Sequence, residues 1–511
     1  MSAPARGSPP QSWPRRVWNH PRQEAGGLPR WFRFILIAAI SELLLIPCFW
    51  QPRIQAGDLS SHLYNAWMAG EIRKGSAPGL TLETLWTNVL GDWLLEILLN
   101  RAGAVWAERA ISAGAVLIFF WGAFFLIRTA NQRAPWRMTP ILAMLGYGLI
   151  FHLGLLNYYL STGLCFWLMA LLWNPSRPRV LLALPLAAAA GLAHVVPLAW
   201  ALAAAAYLWI AARLRPAMRL GLLGASLTAL LMTAALIWTR IPARWSWSTL
   251  AGWNGILGVT GAEQVWLFGI KYIGVAAGLL AIWCWLLLAR LDQRGLWGDP
   301  VVELWILHLI AFAALPSALQ PEPYGHALAY IPQRISLFSA ILVCVVTGGK
   351  FTGRGLTRLS AVLAALFFSF LYADTLAYNA AERDVAALLR DVAPGQRVIA
   401  SIEDTGTRLS ALMHVVDRAC IGRCWSYANY EASTRQFRVQ AAAPNPMVAW
   451  SALAVSQMEK GGYVVRPEEA PLAAVCACAP MGPRFCLRML RAGEATCHLE
   501  VPVAPALWGR P

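Results

Sequence analysis

From residue 34 onward the chain alternates between long apolar runs and short polar breaks. Residues 34–50 are apolar apart from Ser41 and Glu42, and further apolar stretches follow at 110–127, 138–153, 160–173, 180–193, 195–212 and 220–238. The series continues at 265–288, 301–318, 335–346 and 359–378. Several are shorter than the roughly 20 residues that a perpendicular span needs, yet together they predict about eleven transmembrane helices. No small-residue cleavage site follows the first run, in residues 51–57, so the pattern predicts a retained helix and not a removed signal peptide.

Composition agrees with the pattern. Of 511 residues, 58% are hydrophobic and 13% charged, where a soluble domain carries roughly 25% charged residues. The 26 Trp suit the headgroup boundary, where indole rings accumulate. A formal net charge of +16 would suggest nucleic acid in a soluble protein. Here the basic residues mark topology, and no nucleic-acid partner is expected. They fill the N-terminal arm, residues 1–33, with Arg6, Arg15, Arg16, Arg22, Arg30 and Arg33. They recur in alternate loops as Arg128, Arg133 and Arg137, Arg177 and Arg179, Arg213, Arg215 and Arg219, Arg290 and Arg294, and Lys350, Arg354 and Arg358, against Glu24, Asp292 and Asp299. The positive-inside rule then predicts a disordered cytoplasmic arm and, after an odd number of crossings, a tail on the opposite face. The first outside loop, 51–109, also carries Arg53, Arg73, Lys74, Arg101 and Arg109, but long loops are translocated largely regardless of charge.

Three outside segments, 51–109, 240–264 and 319–334, are longer than turns need to be. Beyond them the chain divides into a transmembrane domain, 34–378, and a soluble extracytoplasmic α/β domain, 379–511. In that tail residues 382–391 read as helix, Pro394-Gly395 as a turn and 397–402 as a strand. It holds Cys420, Cys424, Cys476, Cys478, Cys486 and Cys497, which on an oxidising face are expected to pair, with fifteen connectivities open. A metal reading of Cys476 and Cys478 is disfavoured by their one-residue spacing. The other cysteines, Cys48, Cys165, Cys284 and Cys344, lie in apolar spans and read as inert packing.

The first outside loop carries the candidate chemistry. Asp58, His62 and Asn65 are spaced i, i+4 and i+7 and share one helical face, while Leu59, Leu63 and Trp67 form an apolar stripe suited to the bilayer surface. A second amphipathic stretch sets Asn88, Asp92, Glu96 and Asn100 four residues apart, as on a helix lying in the interface plane. Pattern alone turns Asp92 and Glu96 toward water. Glu42, Lys271 and His308 lie within apolar spans, where ionisable groups are expensive. Glu42 is expected to face a bundle interior and Lys271 to reach the outer surface.

An Asp just beyond the first transmembrane helix, in Gly57-Asp58, a long first outside loop with interfacial helices, about eleven spans and an extracytoplasmic α/β tail together resemble the GT-C superfamily of polytopic glycosyltransferases. The resemblance implies transfer of a sugar from a polyprenyl-phosphate donor to an acceptor glycan, lipid or protein, with Asp58 as general base and His62 beside it. A cation should hold the phosphate leaving group. Arg334 is the first candidate, ahead of Arg240 and Arg244, and each also reads as a snorkelling anchor. Asn65, Asp92, His152, His194, Tyr324 and His326 are the candidate sugar-pocket residues, together with Asn157, although a lone His at a helix end is more often a satisfied structural group. The Asp-x-Asp metal arrangement of some members is absent from this loop, so no cofactor is assigned and a divalent metal is not indicated. The expected location is a bacterial inner membrane, with membrane lipid as partner. Two alternatives remain, a transporter or flippase of a lipid-linked saccharide and a non-catalytic scaffold; the segment 425–430 suits either sugar stacking or protein contact. No internal repeat of the transporter kind is visible.

Overall fold

The computed structural model describes residues 29–244, 252–291, 298–321, 327–351, 353–405, 407–477 and 484–502. The N-terminal arm up to residue 28 lies outside them, as do Tyr324, His326 and Cys478. Most of the described residues are helical. In the membrane part the helices are α1 (Arg30–Phe49), α2 (Leu59–Arg73), α3 (Leu90–Asn131), α4 (Thr139–Gly146), α5 (Leu149–His152), α6 (Leu156–Leu172), α7 (Arg177–Ala193) and α8 (Val195–Ala211). They continue as α9 (Pro216–Arg240), α10 (Gly252–Thr260), α11 (Lys271–Leu291), α12 (Pro300–Ala314), α13 (Ile331–Thr347) and α14 (Arg354–Leu388). Among the described residues, the stretches in α1, α3, α9, α11, α13 and α14 are long and apolar enough to cross a membrane, and α6, α8 and α12 are shorter apolar helices. The exteriors of α1, α7 and α9 expose Phe34, Ile35, Leu43, Leu181, Leu182, Leu220 and Met232. A water-soluble surface does not carry apolar patches on that scale. The chain is therefore an α-helical membrane protein.

The amphipathic stretch after Asn88 and the following apolar run are one helix, α3, bent at Gly103, whose φ of 78° only a glycine adopts without strain. The stretch 138–153, by contrast, is no single span. It breaks at Tyr147 and Gly148 into α4 and α5. Tyr147 donates its hydroxyl to the Leu44 carbonyl at 2.6 Å, and Tyr159 donates to that of Gly146 at 2.6 Å, which ties the break to α1 and α6.

The tail carries β4 (Arg397–Ala400), β5 (Ile402–Thr405), α15 (Val415–Cys420), β6 (Trp425–Ser426), α16 (Glu431–Thr434), β7 (Val439–Ala441), α17 (Ala452–Lys460), β8 (Leu472–Ala477), β9 (Phe485–Leu490) and β10 (Leu499–Pro502). Its main sheet has the order β6-β4-β8-β9, with β4 parallel to both neighbours and β8 antiparallel to β9. The tail is knitted to the first outside loop: β1 (Leu80–Leu82) pairs antiparallel with β7, Leu80 opposite Ala441. Likewise β2 (Ala243–Arg244) pairs with β3 (Ala318–Leu319), joining the other two long outside segments. Arg408 of the tail donates its backbone N–H to the Phe268 carbonyl at 2.8 Å and pairs with Glu263. The three long segments and the tail thus gather on one face.

Among the described residues of the tail two disulfides form, Cys420–Cys424 and Cys476–Cys497. The expectation that all six cysteines pair is corrected, because Cys486 is a free thiol opposite Cys476 in the β8–β9 register. With Cys476 bonded to Cys497, it is also unavailable as half of a metal pair. Of the four cysteines in apolar runs, Cys48, Cys165 and Cys344 are buried and Cys284 is exposed. Glu42 is exposed on α1 and does not face the bundle interior. Lys271 is ion-paired with Asp374 of α14, which also accepts from Tyr272 at 2.8 Å. His308 accepts from Trp200 and contacts the Ile335 carbonyl at 3.0 Å, a satisfied structural group.

The deepest tie between tail and helices is ionic. Arg418 on α15 donates Nε and Nη2 to the two Glu382 oxygens of α14 at 2.8 and 2.6 Å, and its Nη1 lies 3.1 Å from Glu108 Oε1 of α3. Glu108 also accepts from Arg53 at 2.9 Å, and Gln55 donates to Glu382 at 2.7 Å. The side chains of Arg418 and Glu108 are 2% and 1% exposed. Replacing Arg418 with Met strands two buried carboxylates, and the expected cost is about 3–5 kcal/mol. A lower thermal midpoint and faster proteolysis of the tail would register it, whereas an unchanged midpoint would show that this ion cluster does not hold the tail in place.

Candidate active site

Asp58 stands at the N-terminal end of α2, where its backbone is docked on the broken α4–α5 segment. The N–H groups of Gly57 and Asp58 donate to the His152 and Leu153 carbonyls at 2.9 and 3.1 Å. The approach is close because Gly154, at φ +78°, has no side chain; a Cβ there would lie 2.4 Å from the Asp58 nitrogen and 2.6 Å from that of Leu59. His152 itself is buried, contacts the Gln55 carbonyl through Nδ1 at 2.8 Å and packs edge-on against Phe268.

Helix α2 does not rest on the bilayer surface as its apolar stripe suggests. Leu59 and Leu63 are buried, Tyr64 accepts from the Ser426 N–H at 3.0 Å, and the Trp67 ring packs against Trp425 of the tail. The helix is enclosed between α3 and the tail. Its polar face therefore meets tail residues that sequence spacing does not reveal. Asn65 donates to Asn429 at 3.1 Å, and Asn429 donates to Ser61 at 2.9 Å and to Asp417 at 2.8 Å. The segment 425–430 is thus core packing, with Tyr427, Asn429 and Tyr430 buried.

Asp92 is turned inward, not toward water, and its side chain is 13% exposed. One oxygen contacts His62 Nδ1 at 2.8 Å and the other accepts from Asn157 at 3.0 Å, while Asn157 also accepts from the Gly91 N–H. Glu96, likewise expected to face water, is buried and paired with Arg73 and Arg438. Glu431 lies 3.7 Å from His62.

On the other side of Asp58 stands His414, at the start of α15. Its Nε2 is 3.5 Å from Asp58 Oδ1 and its Nδ1 is 3.3 Å from Asp417 Oδ2. Asp58 keeps 29% of its side chain exposed, against 5% for His414. The carboxylate is therefore partnered yet open on one edge. Arg334, at the start of α13, interacts electrostatically with Asp58 and with Tyr158, Tyr430 and Tyr330, and its guanidinium lies 5.0 Å from the Tyr158 ring centre. It donates Nε to the Ala329 carbonyl at 3.1 Å. His194 packs edge-on against the same Tyr158 and caps α8 by accepting from the Val196 N–H at 3.2 Å. Burial, then the Arg334 charge, push His194 down to about 3, so it is a neutral ring. Arg240 and Arg244 are both exposed.

The sequence candidates thus divide. Asp58, His62, Asn65, Asp92, Asn157, His194 and Arg334 converge, while His152 is displaced into packing and Tyr324 and His326 lie outside the described residues. Sequence reasoning missed His414, Asp417, Asn429 and Glu431. Their one signal was a His and an Asp at i, i+3 in the tail, a spacing too common to single out. No cluster of metal-ligating side chains occurs among the described residues. A cleft of about 260 Å³ between α6 and α8, lined by Trp173, Trp209 and Arg213, contains none of the converging residues. No protein family, curated protein or solved structure matches the chain.

The electrostatics favour two protonated imidazoles among carboxylates. Burial opposes charge on His62, but Asp92, then Glu431 and Asp58, outweigh it and raise its pKa to about 10. Burial likewise opposes charge on His414, and Asp417, Asp58 and Glu459 raise it to about 9. Burial raises Glu431 and Glu459 to about 7, with His62 and His414 respectively acting the other way. Both histidines are held above their ordinary 6.5. Their stabilisation is present in full below about pH 6.5 and is lost as pH rises through 9 to 10. The thermal midpoint of the wild type should fall across that window relative to a His62→Gln, His414→Gln double variant; parallel curves would contradict the assignment. Independently, Gly154→Ala should push the 57–58 backbone off the α5 turn and lower the thermal midpoint with insertion in the membrane retained; an unchanged midpoint would show that this close approach is not needed.

Proposed function

We propose that the protein is a membrane glycosyltransferase that moves a sugar from a polyprenyl-phosphate donor to an acceptor on the extracytoplasmic face. The single observation that carries this reading is a part-open carboxylate, Asp58, within electrostatic reach of a buried cation, Arg334, on the face that gathers the long loops and the tail. Those two charges match the two demands of the reaction. A base must lie within hydrogen-bond reach of the acceptor hydroxyl, and the departing phosphate needs a positive partner. A lipid-linked donor keeps its isoprenoid in the bilayer and presents its phosphosugar at the headgroup level, the depth at which Asp58 follows α1 and Arg334 begins α13.

The resemblance to GT-C glycosyltransferases supports the same reading through Gly57-Asp58 and the order of helices, loop and tail. In this proposal the broken α4–α5 segment together with α6, α7, α8 and α12 joins the six long helices as crossings, giving about eleven. The N-terminus lies in the cytoplasm of a bacterium and the tail outside its inner membrane. A flippase needs no base, and a scaffold needs no open carboxylate, so neither alternative accounts for Asp58.

Asp58→Asn conserves shape and removes the base. Sugar transfer should fall to background in membranes that contain the variant at wild-type abundance; retained transfer defeats the assignment. Arg334→Gln should lower transfer chiefly by weakening the hold on phosphate, so that inorganic phosphate or undecaprenyl phosphate inhibits the variant less than the wild type.

A further inference from the structure

The tail reaches the carboxylate edge of Asp58 with a side chain of its own. The order Asp417, His414, Asp58 runs through both nitrogens of one ring, at 3.3 and 3.5 Å. Asp417 is itself fixed, by Asn429 Nδ2 at 2.8 Å and by the Ser426 hydroxyl. The ring lies 5.2 Å from that of Tyr430. A carboxylate behind one imidazole nitrogen determines which nitrogen faces forward, and this chain has Nδ1 toward Asp417 and Nε2 toward Asp58.

We propose that His414 is a positioning residue for Asp58: backed by Asp417, its ring holds one carboxylate oxygen and turns the other toward the acceptor hydroxyl, so that the site is incomplete without the tail. The inference rests on the transferase reading of Asp58 and Arg334. In the step it serves, the acceptor O–H proton passes to Asp58 while the acceptor oxygen forms its bond to the anomeric carbon. The bond from that carbon to the phosphate oxygen breaks, and its electron pair leaves with the phosphate toward Arg334. Asp58 then gives its proton to water at its exposed edge, and His414 ends the cycle with the protons it began with. The groups that face the ring are Asp58 from α2, Asp417 from its own helix, Glu459 from α17 and Tyr430 before α16, while Arg334 acts on Asp58 from α13.

The test uses the full-length chain in membranes from cells that otherwise lack it, with a panel of radiolabelled undecaprenyl-phosphate pentoses and hexoses as donors and those membranes as the acceptor source. His414→Gln is expected to lower kcat about 10–100-fold with KM for the donor changed little. Asp417→Asn is expected to move the alkaline limb of the kcat profile to lower pH. A His414→Gln variant with wild-type kcat and pH profile, alongside an inactive Asp58→Asn, overturns the positioning role and leaves the transferase reading standing. An active Asp58→Asn overturns that reading instead. Should His414→Gln fail to fold, Asp417→Asn decides alone, with an unshifted alkaline limb counting against the proposal. A measurement that needs no substrate is the titration of the His414 ring by NMR in the purified protein. It should occur near pH 9 in the wild type and lower in both Asp58→Asn and Asp417→Asn; an unchanged titration in Asp58→Asn overturns the contact.

Discussion

The burial of one guanidinium organises this molecule. Arg418 leaves water only because Glu108 and Glu382 wait for it on two different helices, α3 and α14, with Arg53 and Gln55 satisfying the remaining oxygens. An ion in a low-dielectric interior is tolerable only when its partners are in place. The requirement therefore acts as a register mark. It places α15 over the start of α2, and with α15 comes His414, one helical turn before Arg418 and next to Asp58.

That placement creates a dense polar layer between first loop and tail. Asn65, Ser61, Asn429 and Asp417 form one hydrogen-bonded line, and His62, Asp92 and Asn157 form another. Nearly every member is buried, and buried polar networks of this kind hold a unique arrangement when fully satisfied. Asp58 differs from its neighbours in keeping an open edge. A side chain that is held on one side and free on the other is what the proposed deprotonation of an acceptor requires, and the buried network around it keeps it in place.

The glycine at 154 has a comparable role in the backbone. Its left-handed conformation and missing Cβ let the chain at 57–58 lie against the turn after α5, so the carboxylate is located by main-chain hydrogen bonds before any side chain contributes. The break of the 138–153 stretch at Gly148 serves the same end, since an unbroken span would not present the His152 and Leu153 carbonyls to residues 57 and 58.

Hydrophobic runs alone determine that this chain is helical and built for a membrane, because apolar length is a local property that each segment carries by itself. The first part of the strand expected at 397–402, the helix around Glu382, and Asp58, His62 and Asn65 at the start of one helix were legible for the same reason, although the chain changes sheets after Ala400. Orientation of faces was not. Asp92 and Glu96 lie on a helix whose pattern points them to water, yet the tail covers that helix and supplies Arg438, while α2 supplies His62 and Arg73. The pairing of β1 with β7 links residues more than three hundred positions apart, and His414 meets Asp58 across a similar distance. Contacts of that range depend on how helices and sheet pack in three dimensions, which no spacing along the chain encodes. The sequence determined the solvent in which each segment lives; the tertiary structure decided which charges face one another, because only packing brings distant side chains out of water together.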